Sequence, residues 1–266
     1  MVKYIALSPG GMGFYAHIGA LKMLYDTGKL KEVKEISGGS AGAMAALLFV
    51  ICKDNFKLAI DEALETDLSE LTKLNLRNFL TKYGFIDTSS FKSKFIEVTY
   101  RITGIYDPSF QELYEYNPTV LYITSYCLDT NKTCYFSVNT HPNQKVIDTL
   151  CGSISVPLIF SPKIIEGKHY IDGGVEEITP AAPFLGKDVK EICCIQIKFI
   201  ENHEVTQINN IKDYITKIMQ PVLSNRISYN TMPQLIVEMQ SDEAFDFTMP
   251  EKKKIELFVS GYQSWH

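Results

Sequence analysis

Residues 34–50 read KEISGGSAGAMAALLFV, and the place of Ser40 within them decides how the chain folds. The run before it is short and apolar, with a strand expected over 33–36 and a turn over 37–39. The run after it, 40–52, is an apolar helix. Gly38-Gly39-Ser40-Ala41-Gly42 is therefore a G-x-S-x-G pattern in a strand–turn–helix setting, where a sharp elbow exposes a serine hydroxyl. Gly38 and Gly42 have a mechanical reason to be glycine, since the turn is strained and the helix must pack close to the strand. The start of the new helix also brings a positive dipole end near Ser40. The plainer alternative is a tight turn with no chemistry.

The same unit stands earlier in the chain. Residues 4–7 form an apolar strand ending at Ser8-Pro9-Gly10-Gly11, and Ile18, Leu21, Leu24 and Tyr25 follow at helical spacing until Thr27-Gly28. Two consecutive strand–turn–helix units imply an α/β fold with a parallel sheet and crossover helices. The backbone N–H groups of Gly10, Gly11 and Met12, at a helix N-terminus, suit the oxyanion of an acyl-transfer intermediate. The same geometry suits a phosphate. No Gly-Lys-Ser/Thr follows, however, and Ala16 stands where a dinucleotide fingerprint starting at Gly11 needs its last glycine.

A serine nucleophile needs a base, and histidine is the usual one. His17 reads as a packed residue of the first helix and His141 lies in a polar turn. His203 and His266 lie in polar segments, and strand alternation puts His169 on the face opposite Asp172. The stretch YIDGGVEEITPAAP, 170–183, offers a carboxylate instead. Asp172 ends a strand, and Gly173 and Gly174 let the chain turn abruptly beside it. A free aspartate is a weak base, but burial next to a hydroxyl raises its pKa and lets it accept the proton directly. A plain Asp-Gly-Gly turn is the alternative, and a hydrolase using His203 or His169 as base is a rival.

The remaining features bound the function. The 266 residues, 45% hydrophobic and 21% charged, are expected to make a single globular domain. Within it, 57–117 reads as a helical insertion or lid and 209–266 as mainly helical. A net charge of −5 argues against a nucleic-acid partner. The six cysteines show no metal-ligand spacing and read as reduced core thiols, with Cys193 and Cys194 on opposite sides of a strand. No metal or cofactor is implied. The first residues lack the pattern of a signal peptide, and the longest apolar run, 41–52, is too short to span a bilayer. A cytoplasmic protein, peripheral to membranes at most, is the expectation.

Taken together, the glycine loop, G-x-S-x-G about 30 residues later and D-G-G late in the chain resemble the patatin-like phospholipase family. GALKMLYDTG, ITSYCLDTNKTCYFSV and the segment running into Asp172, with Ser153, Pro157, Phe160, Pro162 and Pro180, extend the resemblance over roughly 3–56 and 118–200. It implies a three-layer α/β/α fold with a mostly parallel central sheet, and a Ser–Asp dyad without histidine. By position Ser40 is the nucleophile, Asp172 the base, and Gly10, Gly11 and Met12 the oxyanion loop. The implied activity is hydrolysis of carboxylic esters in phospholipids or other lipids at a membrane surface. One departure stands out: where the family loop reads G-G-G-x-R/K-G, this chain has Pro9, Gly13 and Phe14 at the first glycine, the basic residue and the last glycine. A side-chain cation is thereby lost, and a non-catalytic lipid- or partner-binding module is the rival expectation.

Overall fold

The structure, a computed structural model, describes all residues except 54, 66–67, 70–71, 201–213, 215–216, 219–225, 230 and 265–266. Its chain order begins with β1 (Tyr4–Leu7), α1 (Phe14–Asp26), β2 (Glu35–Gly39) and α2 (Ala41–Cys52). These are the two strand–turn–helix units. β1 and β2 pair in parallel, from Tyr4 opposite Glu35 to Leu7 opposite Gly38. β2 thus runs three residues beyond the expected strand and through the expected turn, because Ser37, Gly38 and Gly39 still hold sheet register against β4 (Val120–Cys127).

The 57–117 region is mostly helical, with α3 (Phe56–Glu65), α4 (Leu76–Lys82), α5 (Ser89–Thr103) and α6 (Phe110–Tyr116). It also carries a short strand, β3 (Gly84–Ile86), which pairs with β6 (Leu158–Phe160) outside the main sheet. β4 and β5 (Lys132–Phe136) form the expected hairpin. α7 (Val146–Ser153), β7 (Lys163–Ile165), β8 (Lys168–Asp172) and β9 (Ile192–Ile200) follow.

The tail adds a strand to the expected helical content. Among the described residues it contributes β10 (Gln234–Gln240) and α8 (Glu251–Tyr262), and Tyr214, Lys217 and Ile218 also have helical backbone. β10 pairs in parallel along β9, and its alternating burial, with Leu235, Val237 and Met239 inward, is a strand's period rather than a helix's. α8 lies against α1, close enough that a Cβ on Gly19 would stand 1.9 Å from the Phe258 carbonyl oxygen.

The central sheet runs β10-β9-β1-β2-β4-β8-β7, with β5 on β4. The steps from β10 to β4 are parallel, and those among β4, β5, β7 and β8 are antiparallel. This is the three-layer α/β/α class. Strand alternation divides the core: Ile5, Leu7 and Cys193 face the helical side, while Tyr4, Ala6 and Cys194 face Phe184 and Met232. Strand order reverses at β1, with β2 on one side and β9 on the other. The crevice beyond the carboxyl ends of such strands is where open α/β sheets bind ligands.

Candidate active site

Ser40 occupies the junction between β2 and α2 with φ 53° and ψ −120°. A serine in this region is strained and persists only where its surroundings impose it. Those surroundings are close-packed backbone. A Cβ at Gly38 would stand 2.3 Å from the Gly42 carbonyl oxygen, and one at Gly42 would stand 2.3 Å from that of Leu7. The Ser40 N–H donates to the Ser153 hydroxyl at 2.9 Å, which ties the elbow to the end of α7.

Sheet register delivers Asp172. Gly39 pairs with Thr124 in β4, and the next β4 residue, Ser125, pairs with Asp172 at the end of β8. The carboxylate therefore lies one register step from the elbow. Its backbone is held by the end of α7 and the turn after it: the Asp172 N–H donates to the Ser155 carbonyl at 2.9 Å and the Gly173 N–H to that of Ser153 at 3.2 Å. Gly173 is pressed onto β4, where an added Cβ would stand 2.2 Å from the Thr124 carbonyl oxygen.

Asp172 Oδ1 accepts the Gly174 N–H at 2.7 Å, and Oδ2 is buried without a partner in strict hydrogen-bond geometry. Burial pushes the carboxyl up to about 6. The Ser40 hydroxyl, the Gly174 amide and the charge of Arg226 pull it back in part. Such a carboxylate is charged at neutral pH yet basic enough to receive a hydroxyl proton.

Gly10 and Gly11 line the same cleft as Ser40, Asp172, Gly174 and Arg226. Met12 does not join them. Its N–H donates to the Ala244 carbonyl at 3.0 Å and its side chain is buried, so of the three expected donors it is the one already engaged. The contact is tight: a Cβ at Gly11 would stand 2.0 Å from the Ala244 oxygen. The following segment adds Phe245 to the cleft wall, opposite Pro157 and Val156.

Arg226 is the residue that motif reading missed. It is half-buried, its Nη1 donates to the Gly174 carbonyl at 3.3 Å, and its charge acts on Asp172. Apart from Asp172, it is the only charged residue of the cleft lining among the described residues. The cation absent from the glycine loop is thus matched by one arriving from far downstream. No local pattern around Arg226 signals this.

The histidines go elsewhere. His17 is fully buried, its Nε2–H donates to the Ser8 carbonyl at 2.7 Å, and burial pushes its pKa down to about 4. It is a neutral brace beneath the glycine loop. His141 packs on the Phe136 ring, with centroids 4.5 Å apart. His169 is exposed and its Nδ1 lies 3.3 Å from Asp129. His203 and His266 lie outside the described residues.

A family model described as Patatin-like phospholipase matches residues 5–185. The chain is 28% identical to uncharacterized protein R571 of Acanthamoeba polyphaga mimivirus, covering 99% of this chain and 92% of that protein. It is 27% identical to probable lipid hydrolase 463L of Invertebrate iridescent virus 6, over 65% of this chain and 60% of that protein. Among solved structures, VipD of Legionella pneumophila superposes with a TM-score of 0.67 at 14% identity, over 99% of this chain and 66% of that one. ExoU in the ExoU–SpcU complex of Pseudomonas aeruginosa gives 0.56 at 18% identity, over 98% of this chain and 50% of that one. These two likenesses are of fold, and the chain spans two thirds or less of either effector.

Proposed function

From the premise that this chain belongs to the patatin-like phospholipase family, we propose that it hydrolyses carboxylic-ester bonds of phospholipids, as a phospholipase A or lysophospholipase, through a Ser40–Asp172 dyad. The carrying observation is that a serine on a strained elbow and a buried carboxylate with a raised pKa share one cleft with the amides of Gly10 and Gly11.

In this mechanism Asp172 takes the Ser40 proton as Oγ attacks the ester carbonyl. The Gly10 and Gly11 N–H groups receive the oxyanion, and collapse of the intermediate expels the alcohol, which takes the proton back from Asp172, and leaves an acyl-enzyme. Water, deprotonated by the same carboxylate, then releases the fatty acid. Arg226 keeps its charge throughout. The site's single negative charge moves from Asp172 to the oxyanion, and the guanidinium offsets it in both places. The apolar lining of a neighbouring pocket supports a lipid substrate. The pocket lies along α2, the helix that Ser40 begins, and is lined by Met44, Leu47, Leu48 and Ile51 together with Phe14.

The test is fluorophosphonate labelling with the modified peptide located by mass spectrometry. Label on Ser40 that is lost in Asp172→Asn is the expected result. An unlabelled, folded protein would instead favour a lipid-binding module, the reading that the engaged Met12 amide supports.

A further inference from the structure

α4 is a helix that buries none of its seven residues. Helices in folded proteins are held mainly by packing an apolar face, and this one leaves its own in solvent. Leu76, Leu80 and Tyr83 recur at i, i+4 and i+7 on one stripe, 65%, 71% and 72% exposed, and Leu74 just before the helix is 64% exposed. The helix is nevertheless well defined at its ends. The Asn75 side chain accepts the Arg77 and Asn78 N–H groups, and Tyr83 closes it in a left-handed conformation with φ 62°. At the edge of the same stripe Phe79 stacks on Phe85 of β3, with ring centroids 4.4 Å apart, and ties the helix to the rest of the chain. An ordered element therefore presents leucines outward.

Its charge and position say what covers it. From 72 to 86 the chain has Lys73, Arg77 and Lys82 and no acidic residue, within a protein of net charge −5. Lys82 pairs with Asp87 at 2.6 Å, whereas Lys73 and Arg77 are exposed beside the leucines. Two copies meeting through this face would set like charges together around the leucines, which disfavours self-association. Apolar side chains flanked by cations suit the headgroup boundary of an anionic bilayer. The element also adjoins the cleft: β3 pairs with β6, and β6 continues directly from Val156 and Pro157 of the cleft wall.

We infer that the exposed stripe of α4, with Leu74, Lys73 and Arg77, is a docking surface for anionic lipid bilayers that sets the rim of the Ser40 cleft against the membrane. The link to the cleft rests on the hydrolase reading above; the docking itself does not.

The experiment uses the full chain carrying Ser40→Ala, so that nothing is turned over. Co-sedimentation is measured with phosphatidylcholine vesicles with and without phosphatidylglycerol. Binding to the phosphatidylglycerol vesicles is expected, and Leu76→Glu with Leu80→Glu should weaken it by about tenfold or more. Lys73→Ala with Arg77→Ala should remove only the part that depends on phosphatidylglycerol. In the chain with Ser40 intact, the leucine changes should leave turnover of a soluble short-chain ester within about twofold while turnover of vesicle lipid falls. Undiminished vesicle binding by the leucine variant overturns the proposal. So does a lipid-free dimer, seen by light scattering, that the same variant dissolves.

Discussion

The hydroxyl of Ser153 accepts the backbone N–H of Ser40 at 2.9 Å, across 113 positions of sequence, while the Ser153 carbonyl accepts the N–H of Gly173. One residue at the end of α7 thus braces both the strained elbow and the turn that follows Asp172. In Ser153→Ala the Ser40 N–H loses its partner in a buried site, which costs about 1–3 kcal/mol. The expected outcome is a lower urea midpoint with an unchanged m-value, and a fall in kcat larger than any change in KM. Ser153→Thr, which keeps the acceptor, should recover part of the stability.

Asp172 sets the acid limb of the rate profile. Its carboxyl is pushed up to about 6 by burial, so kcat/KM for a soluble ester should fall about tenfold per pH unit below that value. A limb near pH 4 would show a base in an ordinary solvated environment.

The same residue has a thermodynamic signature. Between the unfolded value of 3.8 and about 6 the folded state holds a proton on Asp172 that the unfolded state has released. Stability is therefore lost as pH rises through this window. His17 acts in the opposite sense: with its folded value near 4, it costs stability as pH falls below its unfolded 6.5. Asp172→Asn separates the two. The melting temperature of the wild type relative to this variant is expected to decline from pH 4 to 6 and then level off.

Arg226 should matter to charge more than to folding. Arg226→Gln removes the cation that lowers the Asp172 pKa and offsets the oxyanion. The acid limb should then move to higher pH and kcat fall about tenfold, with KM for a soluble ester little changed. Arg226→Lys should restore much of the limb's position, because the charge is kept though the donor to Gly174 is altered. A loss of melting temperature with an unmoved pH profile would assign Arg226 to structure alone.

Gly11→Ala tests the seating of the glycine loop. The new methyl group meets the Ala244 carbonyl oxygen at 2.0 Å, and the backbone there has φ +53°. Either the loop or the 241–245 turn must shift. Destabilisation of about 1–3 kcal/mol is expected, with loss of Ser40 labelling even where the variant stays folded.

The two strand–glycine–helix units, the elbow at Ser40 and the strand-ending Asp172 were legible in the amino-acid order. Each is a pattern completed within a few residues of itself, written in apolar spacing and glycine placement. That Cys193 and Cys194 face opposite cores follows from the same period of two. The tail was less legible, because β10 becomes a strand by pairing along β9 rather than by a pattern long enough to exclude a helix.

Only the tertiary structure decided which groups are available at the cleft. Met12 has the local form of an oxyanion donor, yet its N–H is taken by Ala244, more than 230 positions away. The glycine loop lacks a cation, yet Arg226 brings one from another part of the chain. A short motif states what a residue can offer. Whether a donor is already engaged, or a charge already matched, depends on segments that meet only when the sheet closes.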